Sequence, residues 1–215
     1  MQASNRPLLI GITGNIGSGK SDFCKYLRDS GCLVVSADRI ANQHLEDPAI
    51  LSKLVNRWGD DILEDGIVCH TKIAAIVFSL PSEREFLNSI LHPIVLKDFQ
   101  EIVDTSSEEA VFFEVPLLFE ANLGLCFDFI CLVHVPLDIR IERLQKRNSG
   151  DLEDIQKRIQ SQIPDEKKFP LVDLVIDNSQ SKIDLEVAAR KLCCSTHSIP
   201  RRSEEHTSEL QSPNT

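Results

Sequence analysis

The chain has 215 residues, 42% of them hydrophobic, with seven cysteines and a formal net charge of −10. That length allows one α/β domain with a sizeable core, and the acidity argues against a broad nucleic-acid-binding face. Met1 to Pro7 is short and polar, with no apolar secretory core, and no apolar run is long enough to span a bilayer. A cytoplasmic protein without a membrane partner is expected. The cysteines show no C-x-x-C spacing and several lie in apolar runs. Reduced thiols therefore fit better than a disulfide framework.

Apolar runs alternate with helical patterns, which predicts βαβ units around a parallel sheet. The first strand candidate is Leu8–Thr13. Behind it, Gly14-Asn15-Ile16-Gly17-Ser18-Gly19-Lys20-Ser21 matches the phosphate-loop pattern G-x-x-x-x-G-K-[ST], and a helix-like stretch from Asp22 to Ser30 follows. Successive backbone N–H groups in such a loop cradle an anion, and the helix N-terminus adds partial positive charge. Lys20 would reach the outer phosphates of a bound nucleotide and the Ser21 hydroxyl would ligate Mg²⁺. Gly31 fits the stop of that helix.

Cys32–Ser36 is the second strand candidate, and Asp38 follows it. A carboxylate at the C-terminal end of such a strand faces the ligand crevice, where it takes a proton or helps to order Mg²⁺. The competing reading is an N-cap for a helix beginning near Arg39. Asp47-Pro48 reads as an N-cap with proline at N1. It opens an apolar face of Ile50, Leu51, Leu54, Val55 and Trp58 that ends at Gly59. Ser82-Glu83-Arg84-Glu85 has the form of a capping box, and the helix it opens is expected to kink at His92-Pro93.

Val111–Val115 is the third strand candidate. Glu114 lies inside it, so its carboxylate needs a partner: either a metal-bound water or backbone amides. Phe129–Val135 and Leu174–Ile176 complete a five-stranded set. Between these two, Arg140, Arg143 and Arg147 fall at i, i+3 and i+7 on one helical face, followed by Arg158, Lys167 and Lys168. This is either a solvated basic face or an anion clamp closing over a triphosphate. Asp177-Asn178 would cap a turn or line an adenine site. From Arg201 to Thr215 only Leu210 is hydrophobic. The run 202–212 looks like a translated sequencing adapter, so the tail 199–215 is expected to be disordered and non-native.

In this order the motifs resemble the dephospho-coenzyme A kinase family over roughly residues 8 to 193. They are Gly11-Ile12-Thr13-Gly14 through Lys20-Ser21, Ala37-Asp38, Val77-Phe78, Leu91-His92-Pro93, Pro116-Leu117-Leu118-Phe119-Glu120, Arg143 with Arg147, Gln162 with Lys168, and Asp173 through Asn178. The resemblance implies a P-loop α/β fold related to nucleoside monophosphate kinases, spanning about 1–198. It also implies a helical acceptor-binding region at about 60–107 and a lid at about 138–170. The implied reaction moves the ATP γ-phosphoryl group to the ribose 3′-hydroxyl of dephospho-CoA, the last step of CoA synthesis. By the same resemblance Asp38 is the base, with Lys20 and Arg147 catalytic beside it. ATP is bound by Gly14 through Ser21 with Arg143, Arg147 and Asn178. The acceptor side comprises Asp38, His70, His92, Pro93, Leu117 and Glu120. Mg²⁺ falls to Ser21 and Glu114. The enzyme would act as a monomer or weak homo-oligomer.

The sequence departs from the family at Asn15, where glycine is usual, at His70, where arginine is usual, and at Asp22, where threonine commonly follows the motif serine. Another small-metabolite kinase with this core is the nearest alternative. A GTPase-like switch would need D-x-x-G and N-K-x-D elements, and neither occurs.

Overall fold

The computed structural model describes residues 6–147 and 152–200, with the side chains of 152–154 left aside. The basic-segment and tail residues 148–151 and 201–215 lie outside the described residues. Two compact units divide the chain: one joins the segments up to Val35 and from Ser106 onward, and the other is Ser36–Thr105.

The first unit is built on a five-stranded sheet. In chain order its elements are β1 (Leu8–Thr13), α1 (Lys20–Asp29) and β2 (Leu33–Ser36), whose last residue opens the second unit. After the second unit the chain returns with β5 (Ala110–Glu114), β6 (Phe129–His134), α6 (Leu137–Arg147), α7 (Leu152–Gln160), α8 (Asp165–Lys168), β7 (Leu174–Asp177) and α9 (Lys182–Cys194). The strand order is β2-β5-β1-β6-β7. β1 is central and parallel to both neighbours, with Ile12 opposite Glu114 on one side and Cys131 on the other. The five strands match the expected set to within a residue or two at each end.

Apolar strands buried on both faces explain the near-continuous hydrophobic runs. Ile10, Ile12, Phe112, Cys131 and Val133 pack with Phe23, Cys24 and Leu27 of α1 and with Leu185, Ala189 and Leu192 of α9. Helix α1 stops as expected at Gly31: Cys32 N–H reaches Leu27 O (3.1 Å) and Gly31 N–H reaches Arg28 O (2.9 Å) around a positive φ. Those two bonds satisfy carbonyls that a helix end otherwise leaves open.

One pair of cysteines is brought together: Cys32 at the entry of β2 lies beside Cys193 of α9, with Cα atoms 6.5 Å apart. Each sits in its own local context, at a sequence separation of 161, so no short spacing motif betrays the pair. Cys24, Cys69, Cys126, Cys131 and Cys194 are free. Burial raises the Cys24 thiol to about 12 and the Cys131 thiol further, so both behave as inert core groups.

The second unit contains α2 (Ala37–His44), α3 (Pro48–Trp58), the hairpin of β3 (Leu63–Glu64) and β4 (Ile67–Val68), α4 (His70–Ser79) and α5 (Pro81–Thr105). Leu45, Ile50, Leu54, Ile62, Val68, Ile73 and Leu91 form its core. Asp47 caps α3 as expected, accepting from Ala49 N–H at 2.8 Å. The capping box at Ser82 does not form. Helix α5 already starts at Pro81, because proline is pre-set for a first helical position, and the Glu83 and Arg84 amides both return to Leu80 O. The helix also continues through Pro93. Leu91, Val95, Phe99 and Val103 are buried along it at four-residue spacing.

Candidate active site

The phosphate loop joins β1 to α1, and its shape is imposed from outside. Gly14 has no room for a side chain: a Cβ there would lie 2.6 Å from Val133 O and 2.7 Å from Ser18 Oγ. Gly19 caps α1 at φ 85°, a left-handed backbone that glycine adopts without penalty, and a Cβ would overlap Asn178 Nδ2. Asn178 is buried at the end of β7. Its side chain donates to Ser18 O at 2.7 Å, and its own carbonyl accepts from Arg143 at 2.8 Å. The first-turn amides of α1 have no intrahelical acceptor and supply the anion site expected of this turn.

Lys20 and Ser21 converge on one carboxylate. Glu114 Oε1 accepts from Lys20 Nζ at 3.3 Å and from Ser21 Oγ at 3.1 Å, while Oε2 accepts from Arg28 at 3.3 Å. Side-chain partners thus take the place of the backbone amides that were the alternative for Glu114. Sequence periodicity gave no reason to single out Arg28, two turns along α1 from Ser21. The hydroxyl of Ser21 and the oxygens of Glu114 are hard donors of the kind Mg²⁺ takes, and Mg²⁺ held against substrate phosphates needs only one or two protein oxygens.

Asn15 does not use the left-handed backbone that its glycine-like position suggested, since its φ is not positive. It is buried, and its side chain is consumed by hydrogen bonds: Nδ2 donates to Ile163 O (3.1 Å) and Oδ1 accepts from Lys168 Nζ (2.6 Å). Ile16 N–H donates to Gln162 Oε1 at 2.8 Å. Glu120 Oε1 accepts from Ile163 N–H (2.9 Å) and pairs with Lys168 (3.0 Å). Asp22 is exposed in the first turn of α1, so its charge is solvated.

The basic stripe separates into three environments. Arg140 is buried against Asp165 (3.5 Å), Arg143 is bound to Asn178, and Arg147 is exposed. Lys168 is fully buried, so it is no part of a solvated face. Asp165 also meets His134 Nδ1 at 2.7 Å. This His–Asp–Arg cluster escaped sequence reading because its members lie on β6, α6 and α8.

In the second unit, Asp38 is exposed at the second position of α2. The cap is Ser36, whose hydroxyl accepts from Arg39 N–H at 3.4 Å. The helix starts two residues before the expected point, so the N-cap alternative for Asp38 falls. His70 is the exposed first residue of α4. His92 is half-buried in α5, and burial lowers its pKa, favouring the neutral imidazole; Pro93 beside it is exposed. Leu117, in the turn after β5 within the first unit, is half-buried.

The family model for dephospho-CoA kinase (CoaE) matches residues 8–184. A dephospho-CoA kinase of Leptospira interrogans is 38% identical over 199 residues, covering 91% of this chain and 94% of its own length. That of Fusobacterium nucleatum is 32% identical over 187 residues, covering 86% and 97%. A solved structure from Thermus thermophilus superposes with a TM-score of 0.77 at 32% identity, covering 88% of this chain and 97% of that one. The dephospho-CoA kinase of Campylobacter jejuni gives 0.62 at 26%, covering 87% and 96%.

Proposed function

The chain belongs to the dephospho-CoA kinase family, and we propose that its phosphate loop binds ATP for transfer of the γ-phosphoryl group to the ribose 3′-hydroxyl of dephospho-CoA. The observation that carries this reading is the convergence of Lys20, Ser21 and Glu114 behind the loop. Lys20 exchanges Glu114 for the outer phosphates, where its charge offsets negative charge developing on the transferred group. Ser21 and Glu114 would hold Mg²⁺, which would supply neutralisation of the phosphate charge.

Asp38 accepts the proton of the acceptor hydroxyl. Its place directly after β2, with the capping duty carried by Ser36, supports that role. His70, His92, Pro93, Leu117 and Glu120 serve the acceptor. His92 offers the acceptor a neutral hydrogen-bonding ring, because burial disfavours its charged form and lowers its pKa from the ordinary 6.5. Arg143 and Arg147 serve the triphosphate, Arg147 on a lid within about 138–170 that closes when ATP binds. Among the described residues no helix is long and apolar enough to cross a membrane. We assign the reaction to the cytoplasm, where ATP is supplied, and its substrates are small molecules rather than nucleic acid.

A coupled ADP-release assay tests the reading, with dephospho-CoA, AMP and shikimate offered in parallel. Turnover with dephospho-CoA alone is expected, and Lys20→Ala should abolish it while leaving the circular dichroism spectrum unchanged. A folded Lys20→Ala protein with near-normal turnover would remove the loop from the mechanism.

A further inference from the structure

The phosphate loop is gripped from behind by a segment more than 140 residues downstream. Gln162 Oε1 holds the Ile16 amide, Ile163 O holds the Asn15 side-chain amide, and Lys168 Nζ holds the Asn15 side-chain oxygen. The ring closes through Glu120, whose Oε1 takes both Ile163 N–H and Lys168 Nζ. Asn15 and Lys168 are buried, Lys168 completely. A glycine at position 15 could make neither side-chain bond, and Asn15 has no backbone reason to differ from glycine, because its φ is not positive.

We propose that Gln162 and Lys168 are positioning residues for nucleotide binding, forming with Asn15 and Glu120 a polar latch that fixes the phosphate loop in its anion-accepting shape. The proposal rests on the reading of this loop as the ATP site. Gln162 engages the loop at Ile16, ahead of Gly19 and the first-turn amides of α1, so it shapes the cradle without competing for phosphate. Lys168 is barred from phosphate by its burial and acts only through Asn15 and Glu120. A loop already held in its binding shape loses less conformational freedom when the ligand arrives, so the latch strengthens binding without touching ATP.

The test is calorimetric titration of the full chain with Mg²⁺ and a non-hydrolysable ATP analogue, together with steady-state kinetics. Asn15→Gly and Gln162→Ala should each weaken analogue binding by about 3- to 10-fold, the span expected for one or two lost hydrogen bonds. KM for ATP should rise by a larger factor than KM for dephospho-CoA. Lys168→Met strands the Glu120 carboxylate and endangers folding, so it is made together with Glu120→Gln. That double variant should bind the analogue as weakly as Asn15→Gly, and adding Asn15→Gly to it should cost little more, because both changes open one ring. Wild-type affinity in both Asn15→Gly and Gln162→Ala overturns the proposal. A lowered melting temperature with unchanged affinity does so as well, by assigning the network to stability alone. Lys20→Ala binding the analogue as tightly as wild type overturns the underlying ATP-site reading, so the two failures are told apart.

Discussion

Asp38 and Ser36 show how two residues divide tasks that a sequence assigns to one. Both are good N-cap types, and nothing in Ser36-Ala37-Asp38-Arg39 says which of them starts the helix. With Ser36 as the cap, Asp38→Asn removes basicity and leaves the cap alone. We expect kcat to fall by about 10²- to 10⁴-fold, the range of general-base contributions, with little change in KM or melting temperature. An Asp38→Asn enzyme that keeps its kcat would show that the proton leaves by another route. Lys20 and Ser21 were legible because their spacing is fixed within one short loop. Arg28 was not, and Asn15, Gln162 and Lys168 stood out without their roles, since their partners are reached only through the fold. Asn15 stood out only as a departure from the usual glycine, and it is a side-chain anchor.

At the scale of elements, apolar runs and helix stops were read well because each is a local signal. Five strands, the Gly31 stop and the Asp47 cap all follow from a few adjacent residues. The β3–β4 hairpin was missed because two-residue strands carry no periodicity. The capping box was expected at Ser82 and forms instead at Ser181, where Asp184 takes the place of the usual Glu or Gln. Glu83, released from capping, fastens α3 to α5. It takes two bonds from Arg57 (2.8 and 3.0 Å) and one from Trp58 (2.8 Å), while Trp58 stands edge-on to Phe86. These donors hold the Glu83 carboxyl well below its ordinary 4.5, at about 2. A carboxylate depressed on folding contributes stability that is complete above its unfolded pKa and disappears as pH falls through the folded value. Acid unfolding followed by fluorescence should therefore show a loss between about pH 4.5 and 2. Glu83→Gln should flatten that part of the profile and lower the melting temperature at pH 7. An unaltered acid limb would mean that these bonds do not persist in solution.

At the scale of the whole molecule, Leu8 near one end of the described residues and Ile199 near the other pack on one core. Ile199, grouped by composition with the tail, packs partly buried against the core of the first unit, next to Cys193 and α9. Composition missed this because a lone isoleucine beside a polar run has no pattern, and only the end of α9 shows where it lands. A chain cut after Ser198 should melt about 2–4 °C below one cut after Pro200, the shift for roughly a kilocalorie in a domain of this size. Equal melting temperatures would mean that the Ile199 contact contributes nothing.

The central place of β1 also governs how the protein can be made. The phosphate loop leaves the ribosome well before the strands that flank β1, which begin at Ala110 and Phe129. Lys20 waits for Glu114, Ile16 for Gln162 and Ser18 for Asn178. Parallel pairing across such distances is slow, because chain closure is costly before any contact repays it. A nascent chain that stops short of Asn178 therefore holds the loop's letters without its geometry. Nucleotide capture is a property that synthesis delivers only once that residue has emerged.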